Sequence, residues 1–544
     1  MVKGKVLRMY DVRAVFENLD TGNCIVATQL KEGASRDLQM LKRSELPDLG
    51  GPSQVVPLEA IFGIYDLLSG SYVALVVESE PFVTTTGMNI RKVKKILVLP
   101  LFRNGRLLSE TKQRDEDRYL LLLHKGFSEH QFFFSSTNDI TLTQQRVAKL
   151  SVSVGGVPSA HQIWERADHR FFWNHDVIVD LIACEADEWV VPFMSAYVEY
   201  RPDCDVDGTK FSLLFISRRS RYRQGCRFTK RGLDENGNAA NFVETEQILL
   251  YADGKVSSFV QIRGSIPLQW ASPVLMKYDP VVLISANRAR NLELAQKHIT
   301  DITSHYSDNS GSSSVLLINL VDNKRDQGRL GTEFKEVIDA LRPRVNHPIV
   351  FHWFDFHHEC KQKGKWNNLT KLVSMVDDRF RAQRYFCKLA NGAVVSWQVG
   401  VIRTNCMDNL DRTNVVQSLF ARRSLIMQLG HMSLLENSSY IMNSPFKTFE
   451  KIYKSVWANN ADAISLGYAG TGALKVDFTK TGKRTLKGIF NDGVNSCMRY
   501  YINNLTDGMY VLVRLYVLIF IFIIWTKTNC FFFIFLDNFL VHDS

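Results

Sequence analysis

A chain of 544 residues is too long to close around one ordinary core, so two or three domains are expected. Hydrophobic residues make up 45% and charged residues 22%, with no Pro-rich or Gly-rich tract, which excludes a disordered, collagenous or coiled-coil chain. The formal net charge of +10 suits an anionic partner, lipid headgroups or nucleic acid, or else a merely solvated surface.

The first twenty residues lack the apolar run of a signal peptide. The nine cysteines are odd in number and form no Cys-x-x-Cys pair, so a reducing, cytosolic setting is expected rather than a disulfide framework. Short runs rich in β-branched and aromatic residues at 71–79, 93–102, 131–136 and 210–217 predict a β-rich N-terminal region. Basic and aromatic residues alternate in SRRSRYRQGCR, but no nucleic-acid module accompanies them, so nucleic acid is not expected as a partner.

From about residue 280 the rhythm changes. Apolar strands at 281–285, 315–321 and 348–356 alternate with helices at 286–306, 332–342 and 366–380, the pattern of an α/β layer, with 307–314 as a loop. HWFDFHHEC offers His352, His357, His358 and Cys360, yet no second ligand cluster follows and no metal is expected; Asp355 and His357 are instead candidates to line a catalytic pocket. A hairpin turning at Asn391-Gly392 continues as a strand over 393–402, and a helix follows over 413–429. The last stretch, 510–536, is strongly apolar but broken by Arg514 and Thr526–Asn529. It reads either as a membrane anchor carrying Lys527 inside or as an alternative C-terminus.

Between strand and helix lies RTNCMDNLDRTN, Arg403 to Asn414. A bare Cys-x5-Arg is a weak signal, since nine cysteines produce roughly half an accidental match. Its position is the stronger evidence. A strand-loop-helix junction aims backbone N–H groups and a helix dipole at one point, a field that binds phosphate and favours a thiolate. In this reading Cys406 attacks phosphorus, Arg412 grips two phosphate oxygens, and Thr413 donates its hydroxyl to the departing sulfur. The carboxyls of Asp408 and Asp411 must point away, pair with a cation or hold a proton. Asp411, then Asp408, is the candidate general acid, and a cap or ion-pair role is the alternative. Arg403, Asn405 and Asn409 are expected to bind substrate. So are Lys475, Lys480, Lys483 and Arg484 of YAGTGALKVDFTKTGKRT, a run that is otherwise a solvated charge cluster.

RTNCMDNLDRTNVVQS resembles the signature of the Sac-domain phosphoinositide phosphatases, and ERADHRFFWN, ISRRSRYRQGCRFTKRGLDENGNAANFVETEQI, QIRGSIPLQW, FDFHHEC and YAGTGALKVDFTKTGKRT resemble further landmarks of that family. The resemblance implies a β-rich N-terminal domain (1–185) packed on an α/β Cys-x5-Arg phosphatase domain (186–508); it stops after Gly508, where the apolar tail (509–544) replaces the linker and two-helix anchor usual in the family. It also implies a cofactor-independent hydrolase acting on phosphoinositide lipids in membranes. Within the family, the chain is most similar to a phosphatase of the endoplasmic reticulum and Golgi that acts on phosphatidylinositol 4-phosphate with its catalytic domain facing the cytosol. A lipid-binding or tethering protein and a protein phosphatase are the alternatives. Asn405 before the cysteine and the absence of loop glycines disfavour the latter. Asn409 stands where the family usually has a second cysteine.

Overall fold

The computed structural model describes residues 4–474 apart from 31–35, 86–87, 103–104, 155–162, 228, 274–280, 309, 361–367 and 431–445, together with 492, 494–496, 498 and 499. The basic run from Lys475 through Arg484 and the tail at 509–544 lie outside the described residues. Among the described residues no helix is long and apolar enough to cross a membrane.

The chain begins with a five-stranded antiparallel sheet of β1 (Lys5–Met9), β2 (Arg13–Asn18), β3 (Asn23–Gln29), β4 (Arg36–Lys42) and β5 (Gln54–Leu58), in the order β4-β3-β2-β1-β5. One face is apolar: Leu7, Phe16 and Ile25 pack on Ile61, Leu75 and Trp189. A second, much larger sheet then starts as an antiparallel run of β6 (Ala60–Asp66), β7 (Ser71–Thr85), β8 (Met88–Pro100), β9 (Phe132–Phe134), β10 (Met194–Val206), β11 (Thr209–Arg219), β12 (Val243–Tyr251) and β13 (Val256–Arg263). Short β9 lies in the middle of this run, pairing β8 at Lys92↔Phe133 and β10 at Met194↔Phe133, so strands from either side of residue 185 share one sheet. Helix α1 (Glu110–Glu129) precedes β9, and α2 (Gln144–Val154), α3 (Ile163–Arg166) and α4 (Val179–Ala183) follow it. In α1 Leu121 and Leu122 are exposed while Glu116 is buried, accepting from Leu68 N–H at 2.8 Å, so apolar periodicity does not mark this helix.

After the two-stranded ribbon β14 (Trp270–Ala271) and β15 (Leu283–Ile284), the pairing becomes parallel. α5 (Arg288–His305) leads to β16 (Val315–Asn319), α6 (Arg325–Leu341) to β17 (Ile349–Trp353), and α7 (Phe356–Cys360) and α8 (Leu369–Gln383) to β18 (Phe386–Lys388) and β19 (Val394–Ser396). β20 (Val401–Asn405) then inserts between β13 and β16, giving the order β17-β16-β20-β13 with all pairs parallel. Alternation along β16 places the helices. Val315 and Leu317 face Leu294 and Ile299 of α5 and Leu330 and Phe334 of α6. Leu316 and Ile318 face Val376 and Phe380 of α8. Both faces are covered, as a parallel sheet requires.

The strand expected over 393–402 is instead two. The break falls at Gly400, whose φ is +99° and where a Cβ would meet Ser314 O at 2.0 Å, so the chain turns there before entering β20. The helix expected over 413–429 is α9 (Asp411–Gln428), and it is buried nearly all round. Val416 and Phe420 pack on the sheet and α8, while Ala421 and Leu425 pack on Phe449, Tyr453 and Trp457 of α10 (Lys447–Ala469). Its buried cations are paired: Arg422 with Glu450 at 2.5 Å and Arg423 with Asp377 at 2.6 Å.

Candidate active site

The four parallel strands end on one side of the sheet, at Arg263, Asn319, Trp353 and Asn405. From β16 the chain moves outward through α6 to β17; it then returns to the other side of β16 as β20 and leaves through α9 on the opposite face. Such a reversal of strand order opens a crevice beyond the carboxyl ends, the usual binding place in parallel α/β sheets. The loop Cys406–Leu410 lies there, between β20 and the first turn of α9.

Local chemistry shapes the loop. Asn409 adopts φ +54°, a left-handed conformation that asparagine tolerates better than most residues, and its Nδ2 donates to Asn241 O at 3.1 Å. Leu410, at the N-cap of α9, supplies no capping side chain, so the first-turn amides are not taken by a side-chain cap, and Asp411 is the acidic residue of that turn. Cys406 is 2% exposed. Below it lies Arg263, in register with Thr404. Arg263 is fully buried, donating from Nε to Gln417 Oε1 at 2.8 Å and from Nη2 to Asn414 Oδ1 at 3.1 Å, while its Nη1 has no partner among the described residues. Burial pushes this guanidinium down to about 9, against the opposing influence of Cys406 and Asp411, and it remains charged at neutral pH. A buried cation with one unused donor beneath the loop strengthens the field for an anion.

Arg412, at the far end of the loop, turns back toward β16. Its Nη1 donates to Leu320 O at 3.0 Å and to Asp322 Oδ1 at 3.2 Å, and its Nη2 to Gln327 Oε1 at 3.3 Å. Asp322 in turn accepts from His357 Nδ1 at 2.9 Å. Thr413 is buried, and its hydroxyl has no hydrogen-bond partner among the described residues.

The two loop carboxylates are both tied down. Asp408 accepts from Arg227 Nη1 at 2.9 Å and from Arg231 Nη2 at 2.6 Å, while Arg231 Nη1 also donates to Met407 O at 2.8 Å. Burial alone would raise the Asp408 carboxyl, but Arg227 and Arg231 hold it well below the usual carboxylate range. Asp411 accepts from Leu474 N–H at 2.8 Å and pairs with Arg499 Nη1 at 3.5 Å. Of the three fates open to an aspartate in an anion loop, pairing with a cation is the one seen. For Asp408, expected as the second candidate for the general acid, Arg227 and Arg231 favour the ionised form over a carboxyl that carries a proton.

Three expected substrate contacts also face inward. Arg403 is fully buried, donating from Nε to His298 Nε2 at 3.0 Å and from Nη2 to Ser265 O at 2.6 Å. His298 donates from Nδ1 to Gly237 O at 2.9 Å, and burial together with Arg403 pushes it down to about 3, so it is a neutral acceptor. Asn405 donates to Asn319 Oδ1 at 2.7 Å. With Asn409 these side chains brace the loop from behind, and none opens on the crevice. Arg227, Arg231, Arg263 and Asp322 are the residues that sequence reading missed. The first two lie in a basic run, and the signal available was that two carboxylates in an anion loop demand cations.

A family model described as the SacI homology domain matches residues 59–361. The phosphatidylinositol-3-phosphatase SAC1-A of Danio rerio is 37% identical over 453 residues, covering 83% of this chain and 74% of that protein. The phosphatidylinositol-3-phosphatase SAC1 of Saccharomyces cerevisiae is 36% identical over 488 residues, 87% of this chain and 73% of that protein. The phosphoinositide phosphatase SAC8 of Arabidopsis thaliana is 32% identical over 474 residues, 87% of this chain and 77% of that protein. Alignments of this extent cannot pass over the loop at 406–412, and the chain therefore belongs to the SacI homology family and is a phosphatidylinositol phosphate phosphatase.

Proposed function

We propose that the protein hydrolyses the monoester phosphate of phosphatidylinositol 4-phosphate through a cysteinyl-phosphate on Cys406. The observation that carries the mechanism is the position of Cys406 and Arg412 at the two ends of one loop, at the crevice formed by parallel strand ends, above buried Arg263 and before an uncapped helix. Cys406 Sγ attacks phosphorus in line with the inositol oxygen, and Arg412 exchanges its present acceptors for two phosphate oxygens. The loop amides and Arg263 stabilise charge as it develops, and Thr413 Oγ1, which has no other partner among the described residues, serves the sulfur as it leaves in the second step. Lys475, Lys480, Lys483 and Arg484 would draw the enzyme to an anionic bilayer, where each basic residue is worth about 1 kcal/mol.

Preference for the 4-phosphate rests on resemblance within the family. A second reading, preference for the 3-phosphate, is favoured by the names of the Danio rerio and Saccharomyces cerevisiae relatives. Phosphate release by the full chain from vesicles containing each phosphatidylinositol monophosphate separates the two by the ratio of kcat/KM. Acid quench during turnover, followed by mass spectrometry, is expected to place phosphate on Cys406. Label at another residue, or release from phosphotyrosine peptides alone, would refute the proposal. The site of action we propose is the cytosolic surface of endoplasmic reticulum and Golgi membranes, held there by the apolar tail; membrane fractionation of the full chain beside a chain ending at residue 508 tests it.

A further inference from the structure

Protonation of the leaving inositol oxygen requires an acid that the loop itself does not hold free. Asp408 is claimed by two arginines, and Asp411 by the Leu474 amide and Arg499. Other acidic and basic side chains grouped around Arg412 come from the loops after β16 and β17. Asp355 is committed to the backbone, accepting from Asn323 N–H at 3.0 Å and from His358 N–H at 2.9 Å, which ties the two loops together and starts α7. Asp322 bridges Arg412 and His357.

Resting on the cysteinyl-phosphate reading above, we propose that His357, oriented by Asp322, is the proton donor to the leaving oxygen and the base in the hydrolysis step. Because a carboxylate can only accept, Nδ1 of His357 must carry the hydrogen, and Nε2 is the ring atom left to face substrate. The imidazole is about half exposed, at 49%, while Asp322 is 25% and Arg412 14% exposed, so the chain Arg412–Asp322–His357 runs from the loop outward to the mouth of the crevice. A phosphate that takes the Arg412 fork displaces Asp322 from it, and Asp322 keeps its hydrogen bond from His357. In the first step His357 acts as the imidazolium, with hydrogen on both ring nitrogens: the Cys406 S–P bond forms, the P–O bond to inositol breaks, and that oxygen takes the Nε2 proton, leaving the neutral ring with its hydrogen on Nδ1. In the second, Nε2 takes a proton from water as its oxygen attacks phosphorus, and the P–S bond breaks to return the thiolate and free phosphate. His357 is the catalytic residue in this account and Asp322 a positioning residue.

The test is steady-state and single-turnover kinetics of the full chain on short-chain phosphatidylinositol 3- and 4-phosphates. For His357→Ala we expect kcat to fall by about 10²–10³-fold, within the usual range for a removed general acid, with KM within about threefold of wild type and partial recovery in imidazole. Asp322→Asn, which keeps the shape but loses the charge, is expected to fall by about tenfold in kcat. A kcat for His357→Ala within about threefold of wild type, a loss carried by KM, or a loss that imidazole leaves untouched overturns the proposal. The same quench experiment keeps the two readings apart. Absence of phosphate on Cys406 in the wild-type chain defeats the cysteinyl-phosphate, whereas its appearance at an undiminished rate in His357→Ala defeats only the proton donor.

Discussion

The antiparallel run β6–β13 and the parallel quartet β17-β16-β20-β13 share one sheet, yet they use polar residues in opposite ways. In the antiparallel run, buried charges close on each other. Arg218 donates to Glu244 at 3.0 Å and Glu246 at 2.8 Å, and in the connection between β9 and β10 Arg170 pairs with Asp168 at 2.7 Å. In the parallel quartet, donors are left over: Arg263 Nη1, Thr404 Oγ1, Thr413 Oγ1 and Asn319 Nδ2 are buried without partners among the described residues. Buried atoms without partners among the described residues occur in the antiparallel run as well, at Ser257 Oγ and Ser258 Oγ, so the contrast lies in where the strand ends lead. Parallel strands send all their carboxyl ends to one side, where loops converge and polar groups await a ligand.

Breaking the ligand side should abolish activity without unfolding the protein. Cys406→Ser is expected to reduce phosphate release by more than about 10³-fold, with a thermal midpoint near that of wild type, because it removes the proposed nucleophile and no packing. Arg412→Lys should cost about 10²-fold in kcat, since a point charge cannot reproduce a two-pronged grip. Arg231→Met tests the tie between the halves. It strips a partner from Asp408 and from Met407 O, and about 2–3 kcal/mol of stability is expected to go with most of the activity, read by urea unfolding; the value is discounted because Asp408 is 30% exposed.

Breaking the closed side should do the reverse. Asp168 is buried, and although burial alone would raise its carboxyl, Arg170 and Arg146 hold it well below the usual carboxylate range. A depressed native pKa means that the unfolded chain binds more protons at low pH. The stabilisation is therefore complete above about pH 4, the range of an unperturbed aspartate, and is lost as pH falls toward the native value. Asp168→Asn should lower stability by about 3 kcal/mol at about pH 7 and flatten the decline below about pH 4 in urea midpoints, while kcat per folded molecule is unchanged. The smallest effect is expected at Asn409. Asn409→Val should cost about 1–2 kcal/mol through its left-handed backbone, whereas Asn409→Gly should stay within a few tenths of wild type in thermal midpoint.

Asn409 also shows how far sequence reading reaches. In the sequence it is a departure from the family cysteine and an expected substrate contact, and the backbone angle makes it a conformational residue. The loop's identity was legible because Cys406 and Arg412 have a set spacing between a strand and a helix. Periodicity likewise placed β16, β17, α5, α6 and α8 to within a few residues, apart from an α6 that begins seven residues before the expected 332. What lies beneath the loop was not legible. Arg403, Asn405 and Asn409 have the chemistry of substrate ligands, and only the sheet decides that they point inward.

The amino-acid sequence by itself determined the local grammar of this protein: where strands alternate, where a helix must start, and that a cysteine and an arginine bracket a loop between a strand and a helix. Those features depend on residues close in the chain, whose geometry a few covalent bonds dictate. The tertiary structure alone decided which partners the charged groups found. Arg231 reaches Asp408 across 177 positions and Arg412 reaches Asp322 across 90. An ion pair or a hydrogen bond depends on distance in space, and only the insertion of β20 between β13 and β16 brings these residues within a few ångströms of each other.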